Sequence, residues 1–469
     1  MSWTFPSSLR FTLILSIALI APGCSGGDDG GSTPPTPAPR NVWTWVSGSN
    51  VIQQVGVYGT KGVADANNVP GARDGAVSWT DSSNNLWLFG GNGYDSVGSA
   101  TLNDLWKFNP ATGQWTWVSG NNMGGEAGRY GTKGVAGANN VPGGRFGAVS
   151  WIDNTGMLWL FGGQGFASTG TGELNDLWKF NPTTNEWTWV SGSNGANQAG
   201  TYGTKGTSSS ANVPGARSSS VGWIDSTNNL WLFGGTGIDR LSVGGRLNDF
   251  WRFNPGNNEW AWISGSDTID GAADYGQKGV AANTNVPGAR VSSTAWIDSS
   301  DTLWLFGGDG VDSIGTPVAF NDLWKFIPTT GQWTWVSGSN VVNQAGDYGT
   351  KGVAAASNVP GARGGANSWT DAADALWLFG GNGLGGSHND LWKFNISTGQ
   401  WVWVSGSNTV DQAAIYGTKG VPATANIPGS KTRSVSWVDS GNTLWLFGGV
   451  GRDSTGVDGY LNDLWRYVP

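Results

Sequence analysis

The chain has 469 residues, is rich in Gly (78) and Trp (31), carries only 12% charged residues and has a formal net charge of −8. Gly costs about 1 kcal/mol per helical position relative to Ala, which excludes a mainly helical protein, and the aromatic content excludes disorder for the bulk of the chain. One His and one Cys exclude a Cys2His2 zinc site and a disulfide framework, and the acidic balance argues against nucleic acid as a partner.

The chain opens on a targeting segment. Arg10 is the only charge ahead of a short apolar run, residues 11–22. That run is shorter than the roughly 20 residues needed to span a bilayer, so residues 1–23 read as a secretory signal. The run ends in Ala21-Pro22-Gly23-Cys24. This resembles the lipobox of bacterial lipoproteins, in which the Cys becomes the lipidated first residue. The family usually has Leu where Ala21 stands, and Pro22 is uncommon there; the alternative is an ordinary cleaved signal with a stray Cys. Cys24 is the only Cys in the chain, and the stretch that follows it, to residue 40, is a Gly-, Ser-, Thr- and Pro-rich tether that buries no core. The resemblance implies export to the bacterial cell envelope and attachment to the membrane through the lipid only. Ser25 after the Cys favours the outer membrane.

Beyond the tether, residues 41–469 are an internal repeat. Trp-x-Trp-Val/Ile-Ser-Gly begins at Trp43, Trp115, Trp187, Trp260, Trp333 and Trp401. Leu-Trp-Leu-Phe-Gly-Gly begins at Leu86, Leu158, Leu230, Leu303, Leu376 and Leu444, and Asn-Asp follows at Asn103, Asn175, Asn248, Asn321, Asn389 and Asn462. Each unit reads as four alternating strands, in the first unit residues 76–80, 86–89, 104–108 and 115–118, joined by turn-forming residues. The alternation is expected to put Trp87, Phe89, Trp106 and Phe108 on one face and Leu86 and Leu88 on the other. Both faces are apolar, so both must be covered, which predicts blades stacked round an axis.

The units resemble kelch repeats: an Arg before the first strand, Gly-Gly after the second, and spaced aromatics in the third and fourth. In the first unit these are Arg73, Gly90-Gly91, Trp106 and Trp115. The last unit departs from the pattern, with Lys431 in the Arg position and Arg433 two residues on. The resemblance covers residues 41–469 and implies an all-β, six-bladed kelch β-propeller, the fold of the galactose oxidase central domain. The repeat begins with a lone fourth strand and ends after a third one, so the sixth blade should be closed by the N-terminal strand.

Loop lengths point to the functional face. The first-to-second connection (residues 81–85) is always five residues, the third-to-fourth (109–114) six, and the link between blades (49–69) 21. Only the second-to-third connection varies, running 11, 11, 12, 12, 7 and 12 residues. Strand alternation places it on the same side as the 21-residue link, and this elaborated side is the expected binding face. The 21-residue links carry Lys61 and Arg73 and read as packed arms, with a ring of ligand sites as the alternative. Lys61 is expected to cap a carbonyl or pair with a carboxylate, and Arg73 to pair with Asp104. The variable connections hold unrepeated charges: Asp95, Glu173, Asp239, Arg240, Arg246, Asp309, Asp312, Arg452, Asp453 and Asp458. The shortest should leave a notch, with His388 at its edge where other units have Leu or Phe. Candidate ligand-binding residues are therefore His388, Asp95, Arg240, Arg246, Asp312, Arg452 and Asp453. The acidic loops could take Ca2+, although no calcium-binding motif is present; no metal site or cofactor is expected.

The copper radical chemistry of galactose oxidase needs a Cys–Tyr crosslink and two His, which this chain lacks. A Ser hydrolase has only His388 as a histidine base. The reading is a surface-anchored, non-catalytic propeller recognising a glycan or protein. The alternative is a sugar-acting periplasmic enzyme, since some periplasmic kelch propellers are sialic acid mutarotases. Carboxylates converging with Arg at a central cup would favour the enzyme, and polar residues scattered on the rim the binder.

Overall fold

The computed structural model describes residues 39–311 and 316–469. The expected signal, Cys24, most of the tether and Asp312 lie outside the described residues. Every regular element among the described residues is a strand.

The repeated alternation builds six antiparallel sheets with a core of four strands, three of them widened to six strands by short flanking strands, and two small three-stranded sheets lie beside the last two. In the first, Val77–Thr80, Leu86–Tyr94, Ser99–Asn109 and Gln114–Ser119 follow one another outward. The inner strands Val77–Thr80, Val149–Ile152, Val221–Ile224, Thr294–Ile297, Asn367–Thr370 and Val435–Val438 touch in a closed cycle, so the sheets stand as blades round an axis. The last blade is completed by the chain's first strand: Val42–Ser47 pairs antiparallel with Leu464–Val468, with Trp43 opposite Tyr467 and Trp45 opposite Trp465. The expected closure is therefore present.

The register corrects the expected face assignment. Leu88 lies opposite Trp106 and Leu86 opposite Phe108, and directly opposed residues share a face. Leu86, Leu88, Trp106, Phe108 and Trp115 thus pack on the last blade. Trp87 and Phe89 lie on the other face, with Trp79 and Leu105, against the second blade. Each interface pairs a leucine-and-tryptophan face with a tryptophan-and-phenylalanine face.

The tryptophans in each blade have distinct tasks. Trp79 donates from Nε1 to the Trp159 carbonyl of the next blade (3.1 Å), Trp87 to Asp81 Oδ2 (2.8 Å), Trp106 to Asp104 Oδ2 (2.7 Å) and Trp117 to the Ser119 carbonyl (2.9 Å). Trp115 is fully buried and its Nε1 has no acceptor among the described residues. The first four therefore couple ring packing to a hydrogen bond, and Trp115 acts by packing.

The 21-residue links are structural arms. Each returns along the outer edge of the blade it precedes: Ala64–Asp65 pairs with Thr116 and Trp115, and Asn68 Nδ2 donates to the Trp115 carbonyl at 3.0 Å. Lys61 Nζ caps the Gly120 carbonyl at 2.6 Å and lies over the Trp117 ring at 4.2 Å. An open outer strand is a template for aggregation, and the arm covers it.

The variable connection is mostly not loop. After Gly90-Gly91 the second and third strands continue as a ladder, with Asn92 opposite Thr101 and Tyr94 opposite Ser99. Only residues 95–98 remain as a turn. In the fifth blade the ladder shrinks to Asn382–Gly383 against Gly386–Ser387, so that blade has the lowest wall.

Candidate functional site

The repeated charges are buried braces. Arg73 forks onto Asp104, Nη1 to Oδ1 at 2.7 Å and Nη2 to Oδ2 at 2.8 Å, and also donates to the Gly71 and Gly90 carbonyls. Tyr58 Oη donates to Asp104 Oδ2 at 2.7 Å. Asp104 thus ties the arm, the first strand and the third strand of one blade together. The Gly90 position has φ +68, and a Cβ there would meet the Arg145 carbonyl oxygen at 2.7 Å; Gly91 has φ +103. Glycine is required where the second strand passes its neighbour so closely. In the last blade Lys431 Nζ replaces the fork, donating to Asp463 at 2.8 and 2.9 Å.

Most of the unrepeated candidates act locally. Asp95 accepts from the amides of Val97 (2.7 Å), Gly98 (2.8 Å) and Gly124 (2.9 Å), which holds its carboxyl below the usual range against the opposing effect of burial. Asp453 likewise accepts from the Thr455 and Val457 amides at 2.8 and 3.1 Å. Arg240 pairs with Asp267 (2.5 Å), and Arg452 with Asp411 (3.4 Å) and Asp458 (3.3 Å). His388 is buried in the core position that Leu102 and Leu461 hold elsewhere. Burial and Arg363 push its imidazole down to about 4, so it is neutral at pH 7.

Arg246 belongs to a different set. On the loop side of the axis the six positions after Gly-Gly are Asn92, Gln164, Thr236, Asp309, Asn382 and Val450. Five are polar, and these positions ring the loop-side end of the axis, the cup. Its floor is a ring of six backbone hydrogen bonds round the axis, in which each amide meets the equivalent carbonyl one blade back. They run Gly75 to Arg433 (3.0 Å), Arg433 to Gly365 (2.8 Å), Gly365 to Ser292 (2.7 Å), Ser292 to Ser219 (2.8 Å), Ser219 to Gly147 (2.7 Å) and Gly147 to Gly75 (2.7 Å). All six residues have positive φ, which even Ser219, Ser292 and Arg433 accept because the ring holds them there.

The charges of the cup are the places where the repeat breaks. Arg433 departs from the Gly and Ser of the other units and reaches Asp74 at 3.2 Å. Asp309 lies over Gly364, whose Cβ, if present, would meet its carboxylate. The side-chain-free Gly364-Gly365 pair lets the fields of Arg433 and Arg246 both act on Asp309. Arg246 makes no ion pair among the described residues, and its Nε has no partner. Glu173 is 8% exposed, and its Oε2 is unpartnered. Asn92 Nδ2 donates to Tyr460 Oη at 2.8 Å, and Tyr94 and Tyr460 stand edge to face with centroids 6.1 Å apart. Asp74, Asn92, Tyr94, Arg433 and Tyr460 were not among the sequence candidates. They are visible only when the repeat is subtracted: Tyr94 and Tyr460 are tyrosines at positions where the other units have none.

Burial pushes Asp74 and Asp309 up to about 6, against their arginines, and Glu173 up to about 7, with Ser218 opposing. An acid with a raised folded-state pKa favours the protonated fold. Its stabilisation is complete below the unfolded pKa near 4 and is lost as pH rises through 7. Glu173→Gln should therefore flatten the fall in urea-unfolding stability between pH 4.5 and 7.5 by a few kcal/mol. An unchanged slope would show that Glu173 titrates as it does in water.

Below the floor ring lies an axial space of about 390 Å3, lined by the inner strands, including Ser78, Ser150, Gly222, Ala295, Ser368 and Ser436, and by no ionisable side chain. Ser78, Ser150 and Ser436 donate to carbonyls of the preceding blade.

A closed set of four-stranded blades with a buried Arg–Asp brace and a Gly-Gly crossing defines a kelch β-propeller. Residues 132–337 match the family model of the KLHDC2/KLHL20/DRC7 Kelch-repeats domain. With the all-strand architecture, that match supports a kelch-repeat family. No curated protein matches the chain.

Proposed function

We propose that the protein is a non-catalytic binding propeller that takes a glycan or protein partner on its loop face, centred on the cup. Kelch repeats generally mediate protein interactions. One observation carries the reading: the unrepeated polar and ionisable residues Asp74, Glu173, Arg246, Asp309 and Arg433 gather at the loop-side end of the axis, the first four on strands and Arg433 in the hydrogen-bonded floor ring. The expected test result is saturable retention of a partner by the purified protein that weakens about tenfold or more when Arg433 is changed to Ala, one lost charged hydrogen bond. Retention indifferent to Arg433, Asp74 and Asp309 would remove the cup from the reading.

The proposal includes anchoring at the bacterial cell envelope, in the outer membrane, through lipidated Cys24. Support comes from the short apolar run, the single Cys at its end and the tether that follows. In cells fed labelled palmitate, the wild-type chain should take up label and sediment with membranes, and Cys24→Ser should do neither.

A second reading, a sugar-acting enzyme of the sialic acid mutarotase kind, is favoured by the three cup carboxyls raised towards 6–7. That is the range in which a carboxyl serves as general acid and base near neutral pH. Anomer exchange followed by proton NMR decides it: acceleration abolished by Asp309→Asn and Glu173→Gln would establish the enzyme, and no acceleration leaves the binder.

A further inference from the structure

We infer that the cup recognises the neutral, hydroxyl-rich end of a glycan, with Tyr94 and Tyr460 as its apolar side and the ring after Gly-Gly as its polar side. This rests on the loop face being the binding face. Three observations lead to the ligand class.

The first is the chemistry of the wall. Asn92, Gln164, Thr236 and Asn382 present two kinds of amide and a hydroxyl, and Gln164, Thr236 and Asn382 are exposed. These groups both donate and accept, without charge. A sugar hydroxyl does the same, so one ligand surface can satisfy all of them. Among the described residues the cup offers no large exposed apolar side chain to a peptide: the exposed valines and leucines Val55, Val63, Val97, Leu241, Val280 and Leu384 sit on arms and turns instead.

The second is the charge balance. Asp74 pairs with Arg433, and Asp309 lies in the fields of both Arg433 and Arg246, so each guanidinium already acts on a carboxylate. An anionic ligand would enter beside three carboxyl groups that burial already resists ionising, in a chain of net charge −8. A cationic ligand would meet two guanidiniums. Among the described residues Glu173 Oε2 has no hydrogen-bond partner, its carboxyl being met by Ser218 alone, and neither does Arg246 Nε, so the two offer one site for a donor and one for an acceptor. Hydroxyls provide both and bring no charge into a buried site.

The third is the aromatic pair. The repeated tryptophans are spent on packing between blades. Tyr94 and Tyr460 are half-buried at the seam between the first and last blades, and the Asn92–Tyr460 hydrogen bond fixes one ring. A half-exposed ring beside fixed amides offers a CH-rich sugar face an apolar contact and its hydroxyls their partners.

The full-length protein, solubilised in detergent, is to be tested on an array of glucose-, galactose- and mannose-terminated neutral glycans, sialylated glycans and unstructured peptides. Three variants go alongside it, Asn92→Ala, Tyr460→Ala and Arg246→Gln, each checked for an unchanged urea midpoint. The expected result is binding to neutral glycans, weakened about tenfold or more by each variant. Capture of sialylated glycans or peptides that the variants abolish and free neutral sugar does not compete would overturn the ligand class while leaving the cup as the binding site. Binding of any ligand unaffected by all three variants would overturn the loop-face reading itself. No binding to a neutral glycan overturns the inference.

Discussion

Deleting residues 41–47 is expected to unfold the protein, and Trp43→Ala alone to cost about 3–5 kcal/mol, the usual loss for a fully buried Trp. Trp43 packs on Phe379 and Tyr467, with ring centroids 5.4 and 5.1 Å away, and accepts the arm of its own blade through Asn426 Nδ2 at its carbonyl. Without Val42–Ser47 the strand Leu464–Val468 becomes an open edge, and both the Trp43 core and the arm that crosses it lose their partner. A fold stabilised by roughly 5–15 kcal/mol cannot absorb that sum. The control is Trp115→Ala, which removes the equivalent ring from the first blade, where the fourth strand follows the third directly in sequence. Equilibrium unfolding should show similar losses for Trp43→Ala and Trp115→Ala. The end-to-end pairing closes a long loop and should form late, so Trp43→Ala should act almost wholly by speeding unfolding, while Trp115→Ala, in a locally connected hairpin, should also slow refolding. A deletion variant with a wild-type urea midpoint would mean that the ring holds without its clasp.

The repeat made the strands, their order and the closing strand legible, because each depends on spacing and alternation alone. The faces were less legible. Whether Trp106 shares a side with Leu88 or with Phe89 depends on a register in which one residue reverses every side chain, and the parity is set by the bulges near Gly91 and Trp106. The acids chosen at the turn tips proved to be the least available. A short Asp side chain at a tip turns back onto the amides two or more residues ahead, as Asp95 and Asp453 do. The acids of the cup sit at strand positions rather than turn tips, so Asp309 and Glu173 do not fold back onto the amides just ahead of them as Asp95 and Asp453 do. His388 misled for a related reason. As the single histidine it stands out in composition, yet its position is a core one, and burial keeps it uncharged. The residues of the cup carry no motif. They share only a place: just after Gly-Gly (Asn92, Asp309), two residues before Asn-Asp on the third strand (Glu173, Arg246, Tyr460), or just ahead of the first strand (Asp74, Arg433), positions that become meaningful once the strands are wrapped round an axis.

The buried brace should show the second large effect, and the sixth blade gives it an internal comparison. Asp104→Ala strands Arg73 in a site with 1% exposure and removes the acceptor of Tyr58 and Trp106. Breaking a buried pair this way costs about 3–5 kcal/mol. Arginine cannot discharge to escape that cost. Lys431 can: it is fully enclosed, and burial already holds its ammonium below the usual lysine range against the pull of Asp463. In Asp463→Ala the folded chain would therefore keep Lys431 neutral. A lysine with a lowered folded-state pKa binds fewer protons folded than unfolded, so stability rises with pH up to the unfolded value near 10.4. Urea unfolding at pH 7 and pH 9 should show the Asp463→Ala deficit shrinking at the higher pH and the Asp104→Ala deficit staying constant. Equal deficits at both pH values would mean that Lys431 reaches solvent when its partner is lost. Installing the arginine of the other blades, Lys431→Arg, should restore the fork and with it the pH-independent loss. The same substitution must leave ligand binding intact, since Lys431 braces the blade from beneath and Arg433, two residues on, is the group that enters the cup.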